Sequence, residues 1–307
     1  MVTPRSPALA LPAARRPDPA VVLELFKPIT WFAPMWAFMC GAVSAGAPLG
    51  GRWHLVLGGM VLAGPLVCAM SQAVNDWYDR HVDAINEPDR PIPSGRMPGR
   101  WGLGIAIAWT GVSLLVALTL GPWAFGAALV GVGLAWAYSA PPLRLKANGW
   151  LGNAAVGLCY EGLPWFTGAA ILGAVAPSPA NLAVLVLYSL GAHGIMTLND
   201  FKSIEGDRAT GIRSLPAMLG PERAARLACA VMAVPQAAVA ALLLAWGAPW
   251  HASAVALLLA AQGALMRRLL SDPRAQAAWY NATGTTLYVL GMLVAAFALG
   301  GMAGGGA

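Results

Sequence analysis

The sequence predicts an all-α, polytopic membrane protein of about nine transmembrane helices, arranged as two related halves around a central cavity. Three observations carry this expectation. Of 307 residues, 58% are hydrophobic and only 10% charged, whereas a soluble domain carries about a quarter charged residues. So little charge cannot cover a surface that faces water. Apolar stretches of the roughly 17–25 residues that cross a bilayer recur along the chain. The basic residues are also one-sided. With the N-terminus inside, 18 of 19 fall on the cytoplasmic side and Arg52 alone falls outside, as expected where cytoplasmic loops accumulate Lys and Arg.

The elements follow in order. Residues 1–23 read as a disordered cytoplasmic tail rather than a cleaved signal, because the only apolar run, Ala8–Ala14, is short and broken by Pro12. Residues 24–300 form the membrane domain. Its expected spans are Pro28–Gly46, His54–Val74, Trp101–Leu120, Pro122–Tyr138, Leu151–Gly173, Ala180–Leu198, Ala224–Trp246, Trp250–Met266 and Ala277–Leu299. The fourth and eighth are short and follow tight turns, so merging one with its neighbour would give eight. Residues 301–307 read as a flexible tail. The two halves are expected as pseudo-repeats, about 24–146 and 147–270.

The net charge of +6 and pI near 9.5 follow from this topology and call for no nucleic acid. Basic loops beside an anionic leaflet are attracted to membrane lipid. Cys40, Cys68, Cys159 and Cys229 lie inside expected spans without metal-ligand spacing and read as small apolar fillers.

Most acidic residues collect in two loops, after the second and sixth spans. The first reads Asn75-Asp76-Trp77-Tyr78-Asp79-Arg80-His81-Val82-Asp83 and runs on through a Pro-rich turn to Arg96. The second reads Asn199-Asp200-Phe201-Lys202-Ser203-Ile204-Glu205-Gly206-Asp207, followed by Arg208 and Arg213. They align without a gap, 124 positions apart, which suggests an internal duplication with a site between the halves. If the helices continue through the motifs, Asp76, Asp79 and Asp83 share one face at i, i+3 and i+7, and Asp200, Ser203 and Asp207 repeat the stripe.

Mg²⁺ takes one or two carboxylates, several waters and substrate phosphate oxygens. Two facing stripes therefore suit Mg²⁺ ions that clamp one diphosphate. Arg80, Arg90, Arg96, Arg144, Lys146, Lys202, Arg208 and Arg213 are the cations available to neutralise it as it leaves. Tyr138, followed by Arg144 and Lys146, ends the fourth span beside them. A single such motif would be an ordinary solvated helix end; a matched pair, each followed by arginines, argues for chemistry. A diphosphate held at the membrane surface implies an amphiphile, and an isoprenoid diphosphate with its tail among the helices fits.

With its intact N-D-x-x-D-x-x-x-D motif and second aspartate-rich motif, the chain resembles the UbiA superfamily of intramembrane prenyltransferases from about Glu24 to Leu299. The phrases N-D-W-Y-D-R-H-V-D-A-I-N-E-P-D-R-P-I-P-S-G-R and L-N-D-F-K-S-I-E-G-D-R are similar to the chlorophyll and bacteriochlorophyll synthases, the latter more closely. Ser203 stands where many superfamily members have Asp, and that branch shares the Ser. The resemblance implies catalytic roles for Asn75, Asp76, Asp79, Asp83, Asn199, Asp200 and Asp207, with Mg²⁺ as cofactor. It also implies transfer of a geranylgeranyl or phytyl group from its diphosphate to the propionate of bacteriochlorophyllide. The expected location is an inner or intracytoplasmic photosynthetic membrane, with pigment-protein assembly partners.

Such an acceptor is already ionised at neutral pH, so no base is needed. Trp77, Tyr78, Tyr138, Tyr160 and Phe201 are candidates to face an allylic cation. Glu161 and His193, ionisable groups inside spans, either contact the tetrapyrrole, His193 as an axial ligand to its magnesium or Glu161 bonding a polar substituent, or make an interhelical hydrogen bond, with each other as one option. The alternatives are a relative with an aromatic, quinone-precursor acceptor and a non-catalytic transporter or pigment-binding protein. The N-D-F-K-S-I-E-G-D phrase argues against the first. Two motifs on one membrane face argue against the second.

Overall fold

The structure, a computed structural model, describes residues 16–304, all helix and connecting turns among those described. The chain enters through α1 (Pro19–Phe26), started by the Asp18 carboxylate accepting from the Ala20 amide at 2.8 Å and by Pro19 in the first turn. The disordered tail expected over residues 1–23 is therefore corrected at residues 19–23. The sequence VVLELF gives a short helix an apolar face, and Leu25 and Phe26 are buried by it. Residues 1–15 lie outside the described residues. Helix α1 ends at Lys27, in the left-handed region at φ 46°.

A 3-10 turn, Pro28–Trp31, leads into α2 (Phe32–Ser44). Next come α3 (Trp53–Val61), a π-helical turn over Leu62–Cys68, and α4 (Ala69–Asn86) in one rod. Pro65 has no amide to donate, and the wider turn absorbs that gap. Helices α5 (Trp101–Thr119) and α6 (Pro122–Ser139) follow. Asn148 caps α7 (Gly149–Gly157), which passes through a second π turn, Leu158–Gly162, into α8 (Leu163–Gly173). Beyond Ser178, the cap of α9 (Pro179–Asn199), a 3-10 turn over Asp200–Ser203 precedes the short helices α10 (Ile204–Thr210) and α11 (Leu215–Leu219). Three long helices finish the chain: α12 (Pro221–Ala245), α13 (Pro249–Ser271) and α14 (Pro273–Gly304).

Among the described residues seven helices are long and apolar enough to cross a membrane, and the protein is an integral membrane protein. The expected count of nine is not reached on that criterion. The first expected span is divided by its 3-10 turn, leaving 13 α-helical residues. The fourth has only 18 residues, diluted by Pro122, two Trp and three Gly. The eighth, expected to be short, is 23 residues long. The flexible tail expected from residue 301 is likewise corrected, since α14 stays helical to Gly304. It does so because its end packs on α2: a Cβ at Gly300 would lie 2.5 Å from the Val43 carbonyl oxygen. Residues 305–307 lie outside the described residues.

Small residues let the helices touch. A Cβ at Gly41 would meet the Trp165 carbonyl oxygen at 2.0 Å, and one at Gly168 the Phe38 carbonyl oxygen at 2.2 Å, so α2 and α8 pack backbone to backbone. Several buried polar side chains find one another, which satisfies them where water is absent. Gln236 and Gln262 exchange amide hydrogen bonds at 3.2 and 2.8 Å between α12 and α13. Asn181 accepts from Trp165 Nε1 at 2.7 Å and donates to Ser44 Oγ at 2.9 Å. The four cysteines are free, three buried and Cys159 half-buried, as expected of fillers.

Candidate active site

Helix α4 runs unbroken through the first motif, so the expected stripe of Asp76, Asp79 and Asp83 is real. Each carboxylate has a cation. Lys27 Nζ donates to Asp76 Oδ1 at 2.6 Å. Arg90 donates to Asp83 Oδ2 at 2.9 Å and reaches Asp76 Oδ1 at 3.5 Å. Lys146 Nζ donates to Asp79 Oδ1 at 2.6 Å, with the Arg144 guanidinium at 3.7 Å. Burial pulls the Lys146 ammonium below the ordinary lysine value, against the opposing pull of Asp79. Three like charges on one helix face would repel, and this pairing makes the stripe tolerable. Asp76 is 1% exposed, and its Oδ2 has no hydrogen-bond partner among the described residues.

The second motif differs from the expected copy. Helix α9 stops at Asn199, and Asp200–Ser203 is a 3-10 turn, so the i, i+3, i+7 stripe is not a continued α-helix. Ser203 Oγ donates to the Asp200 carbonyl at 3.1 Å, and such side chain to backbone bonds compete with the helical ladder. Asp207 on α10 is held by neutral donors, Ser214 Oγ at 2.5 Å and Ser203 Oγ at 3.3 Å. Burial pushes the Asp200 carboxyl up, to about 7, with only Asn153 and Lys202 nearby to pull it back, and the Asn153 amide itself donates to Thr197 Oγ1 at 3.2 Å. The two motifs are thus electrostatically unequal: the first is matched by cations, the second by the Ser203 and Ser214 hydroxyls on Asp207.

Backbone pairing joins the two ends. Gly149 N donates to the Arg213 carbonyl at 2.8 Å, and Arg213 N to the Ala147 carbonyl at 3.1 Å. This ties the segment after α6 to the one after α10 and sets Tyr138 within electrostatic reach of Asp79, Asp200 and Asp207 together. Below this crown, Tyr160 accepts a hydrogen bond from Gln72 Nε2 at 2.9 Å, and Gln72 lies one helical turn before Asp76. A cleft of about 270 Å³ opens there between α2, the second π turn, α9 and α14, lined by Phe32, Tyr160, Glu161, Met196, Asn281 and Thr285, among others. Met196 lies one turn before Asp200, so the cleft adjoins the crown.

Several expected site residues are placed elsewhere. Arg80 folds back on its own helix, donating to the Trp77 carbonyl at 2.6 Å with its guanidinium 4.4 Å over the Trp77 ring. Arg96 pairs with Glu24, and Arg208 donates to the Ala217 carbonyl at 3.3 Å. Tyr78 packs edge-on against Trp136, ring centres 6.3 Å apart, and Phe201 is buried in the main core. Glu161 and His193 make no hydrogen bond to each other. The His193 ring lies against Trp150, 5.6 Å between centres, outside the residues lining the cleft. Asn75 donates to Ser139 Oγ at 3.4 Å, and Asn199 is exposed. Residues that sequence reasoning missed are Lys27, Asn153, Ser139 and Ser214.

Among the described residues no three His, Cys, Asp or Glu side chains converge as a ready-made metal cage. The donor set still fits a hard cation, because Mg²⁺ is bound by one or two carboxylates and completed by water and phosphate oxygens. Asp76 Oδ2, buried and unpartnered, and the carboxylates of Asp200 and Asp207, which lack a paired cation, are the oxygens that fit.

Comparison with known proteins places this geometry. The profile of the UbiA prenyltransferase family matches residues 32–290. The chain is 64% identical over 286 residues to the bacteriochlorophyll synthase 33 kDa chain of Cereibacter sphaeroides, covering 93% of this chain and 95% of that one. It is 40% identical over 295 residues to the chloroplastic chlorophyll synthase of Arabidopsis thaliana, covering 90% of this chain and 73% of that one. The structure of a UbiA homolog from Archaeoglobus fulgidus bound to GPP and Mg²⁺ superposes with a TM-score of 0.68 at 23% identity, covering 89% of this chain and 99% of that chain.

Proposed function

The chain belongs to the UbiA prenyltransferase family, and we propose that it esterifies bacteriochlorophyllide, transferring a geranylgeranyl or phytyl group from its diphosphate to the propionate carboxylate. The observation that carries this reading is the 64% identity, over nearly the whole of both chains, to a bacteriochlorophyll synthase. The crown of paired carboxylates and cations supplies the chemistry.

In the reaction the C1–O bond of the allylic diphosphate breaks and its electron pair leaves with diphosphate. A propionate oxygen then forms the new C–O bond to C1. Asp76, Asp79 and Asp83 with Asp200, Ser203 and Asp207 are the residues that would hold Mg²⁺. When bound, the ion would supply Lewis-acid neutralisation of the charge that develops on the leaving diphosphate. Lys27, Arg90, Arg144 and Lys146 already stand over the first motif. They are positioned to exchange an aspartate for a phosphate oxygen, so negative charge arriving with the donor meets cations held in place beforehand. Tyr138 sits between the motifs, where its ring can face the allylic cation. The acceptor carboxylate is ionised without help, which fits a site with no histidine against the carboxylates.

The acceptor is assigned to the cleft below the crown, with its ring system among Phe32, Tyr160, Glu161 and Asn281, and the active-site end to the cytoplasmic face, where the basic residues gather. The test is direct. Membranes carrying the protein, given Mg²⁺, geranylgeranyl diphosphate and bacteriochlorophyllide, are expected to yield esterified pigment by chromatography. Folded protein that forms none, or that forms it equally well with Asp76→Ala and Asp200→Ala, overturns the reading.

A further inference from the structure

One buried carboxyl has no part in the diphosphate crown. Glu161 lies in the π turn of the rod formed by α7 and α8, 4% exposed, and lines the cleft between α2, α9 and α14. Among the described residues its Oε2 has no hydrogen-bond partner and no cation stands beside it. Its neighbours in the cleft are mostly apolar or aromatic, with Asn281 and Thr285 on the facing α14. An unsatisfied carboxyl in apolar surroundings is costly. In a membrane span that cost persists only if something else satisfies the group, and π turns inside α-helices recur at functional positions. The cleft opens to the side of the molecule, since Phe32 is 60% exposed at its mouth, so a flat ring system can enter without being enclosed.

Resting on the assignment of the acceptor to this cleft, we propose that Glu161 is a specificity-determining residue: as the neutral acid it donates a hydrogen bond to the acetyl carbonyl at C-3 of bacteriochlorophyllide. Chemistry selects that group. Bacteriochlorophyllide differs from chlorophyllide in two ways, a 3-acetyl in place of a 3-vinyl substituent and a reduced second pyrrole ring. Only the acetyl adds a polar atom. A neutral carboxyl offers one O–H donor, which a carbonyl accepts and a vinyl group leaves unpaired. A site built to hydrogen-bond a substrate group rejects the analogue lacking it, because its own polar group is then stranded.

The experiment uses the full-length protein in membranes with Mg²⁺ and geranylgeranyl diphosphate, and two acceptors identical except at C-3: 3-acetyl and 3-vinyl bacteriochlorophyllide. Wild type is expected to favour the acetyl acceptor in kcat/KM. Glu161→Leu is expected to lower kcat/KM for that acceptor by about tenfold, the size of one hydrogen bond to a buried group, and to leave the vinyl acceptor within about twofold. Glu161→Gln, whose amide can still donate, retains most of the preference. An equal loss on both acceptors overturns the proposal, since it marks a structural role or contact with a shared group. So does an unchanged ratio in Glu161→Leu, or a Gln variant as impaired as the Leu variant. Wild type that esterifies neither acceptor sinks the proposed function itself, whereas turnover with an unaltered ratio sinks only the role of Glu161. Should the Leu variant fail to insert, Glu161→Met gives the same comparison with a side chain closer in shape. Absorbance titration of each acceptor without donor then reads the same preference as binding.

Discussion

Asp76 shows how a single side chain is prepared. It is almost fully buried, one oxygen is held by Lys27 and Arg90, and the other has no partner. Removing one member of a buried ion pair strands the other charge, and the loss exceeds the worth of the pair. Lys27→Met is therefore expected to lower kcat/KM by at least about tenfold while the protein still inserts. Arg274→Ala, which breaks an exposed pair with Glu205, stays within about twofold because exposed pairs contribute little. Parallel turnover assays on matched membrane amounts check this, and equal activity in both variants would remove Lys27 from the site. The three aspartates of α4 were legible in the sequence because helical spacing alone puts them on one face. Lys27 was not. It lies 49 positions before Asp76 on a different element, and nothing local marks a lysine beside Pro28 as anything but an anchor. Ser214 and Asn153 were hidden for another reason: uncharged donors become meaningful only once a carboxylate is seen beside them.

At the scale of elements, the long helices were legible because length and apolarity determine what crosses a bilayer. The departures came from local geometry that composition does not report. Pro28 starts a 3-10 turn that shortens the first span, and the Ser203 hydroxyl helps break the second motif out of α-helix. Two motifs that align residue for residue therefore end up with different backbones and different partners. Close helix approach was legible only in kind. Many glycines sit inside spans, but the structure distinguishes those that hold helices together from those that face open space. Gly41→Ala would place a methyl 2.0 Å from the Trp165 carbonyl oxygen, so α2 and α8 must separate, whereas Gly104 has nothing within 4 Å. Overpacking of this kind costs about 1–3 kcal/mol. Gly41→Ala is expected to lower the midpoint of thermal unfolding in detergent by roughly 3–10 °C, and Gly104→Ala to leave it unchanged or slightly raised. Equal midpoints would show that the contact between α2 and α8 is looser than described.

For the whole molecule, the distribution of charge and the convergence of the motifs make one claim from independent directions. Basic residues cluster at the end where α4, the segment 140–148 and the turn after α9 meet. Arg52, the exception among the described residues, donates to the Leu172 carbonyl near the end of α8 at 2.5 Å, far along the chain from either motif. One diphosphate can be held by both motifs only if both open on the same side of the membrane. A thiol reagent that cannot cross the bilayer tests this, because the native cysteines are buried or half-buried and new ones can be placed at exposed positions. Asp89→Cys follows the first motif, Ala209→Cys follows the second, and Gly50→Cys lies in the turn beside Arg52; all three positions are exposed. The first two are expected to react in inverted vesicles and to be protected in right-side-out vesicles, with Gly50→Cys showing the opposite pattern. If the Asp89 and Ala209 variants react from opposite faces, the motifs cannot share a substrate, and the duplicated aspartates must be read as two separate helix ends.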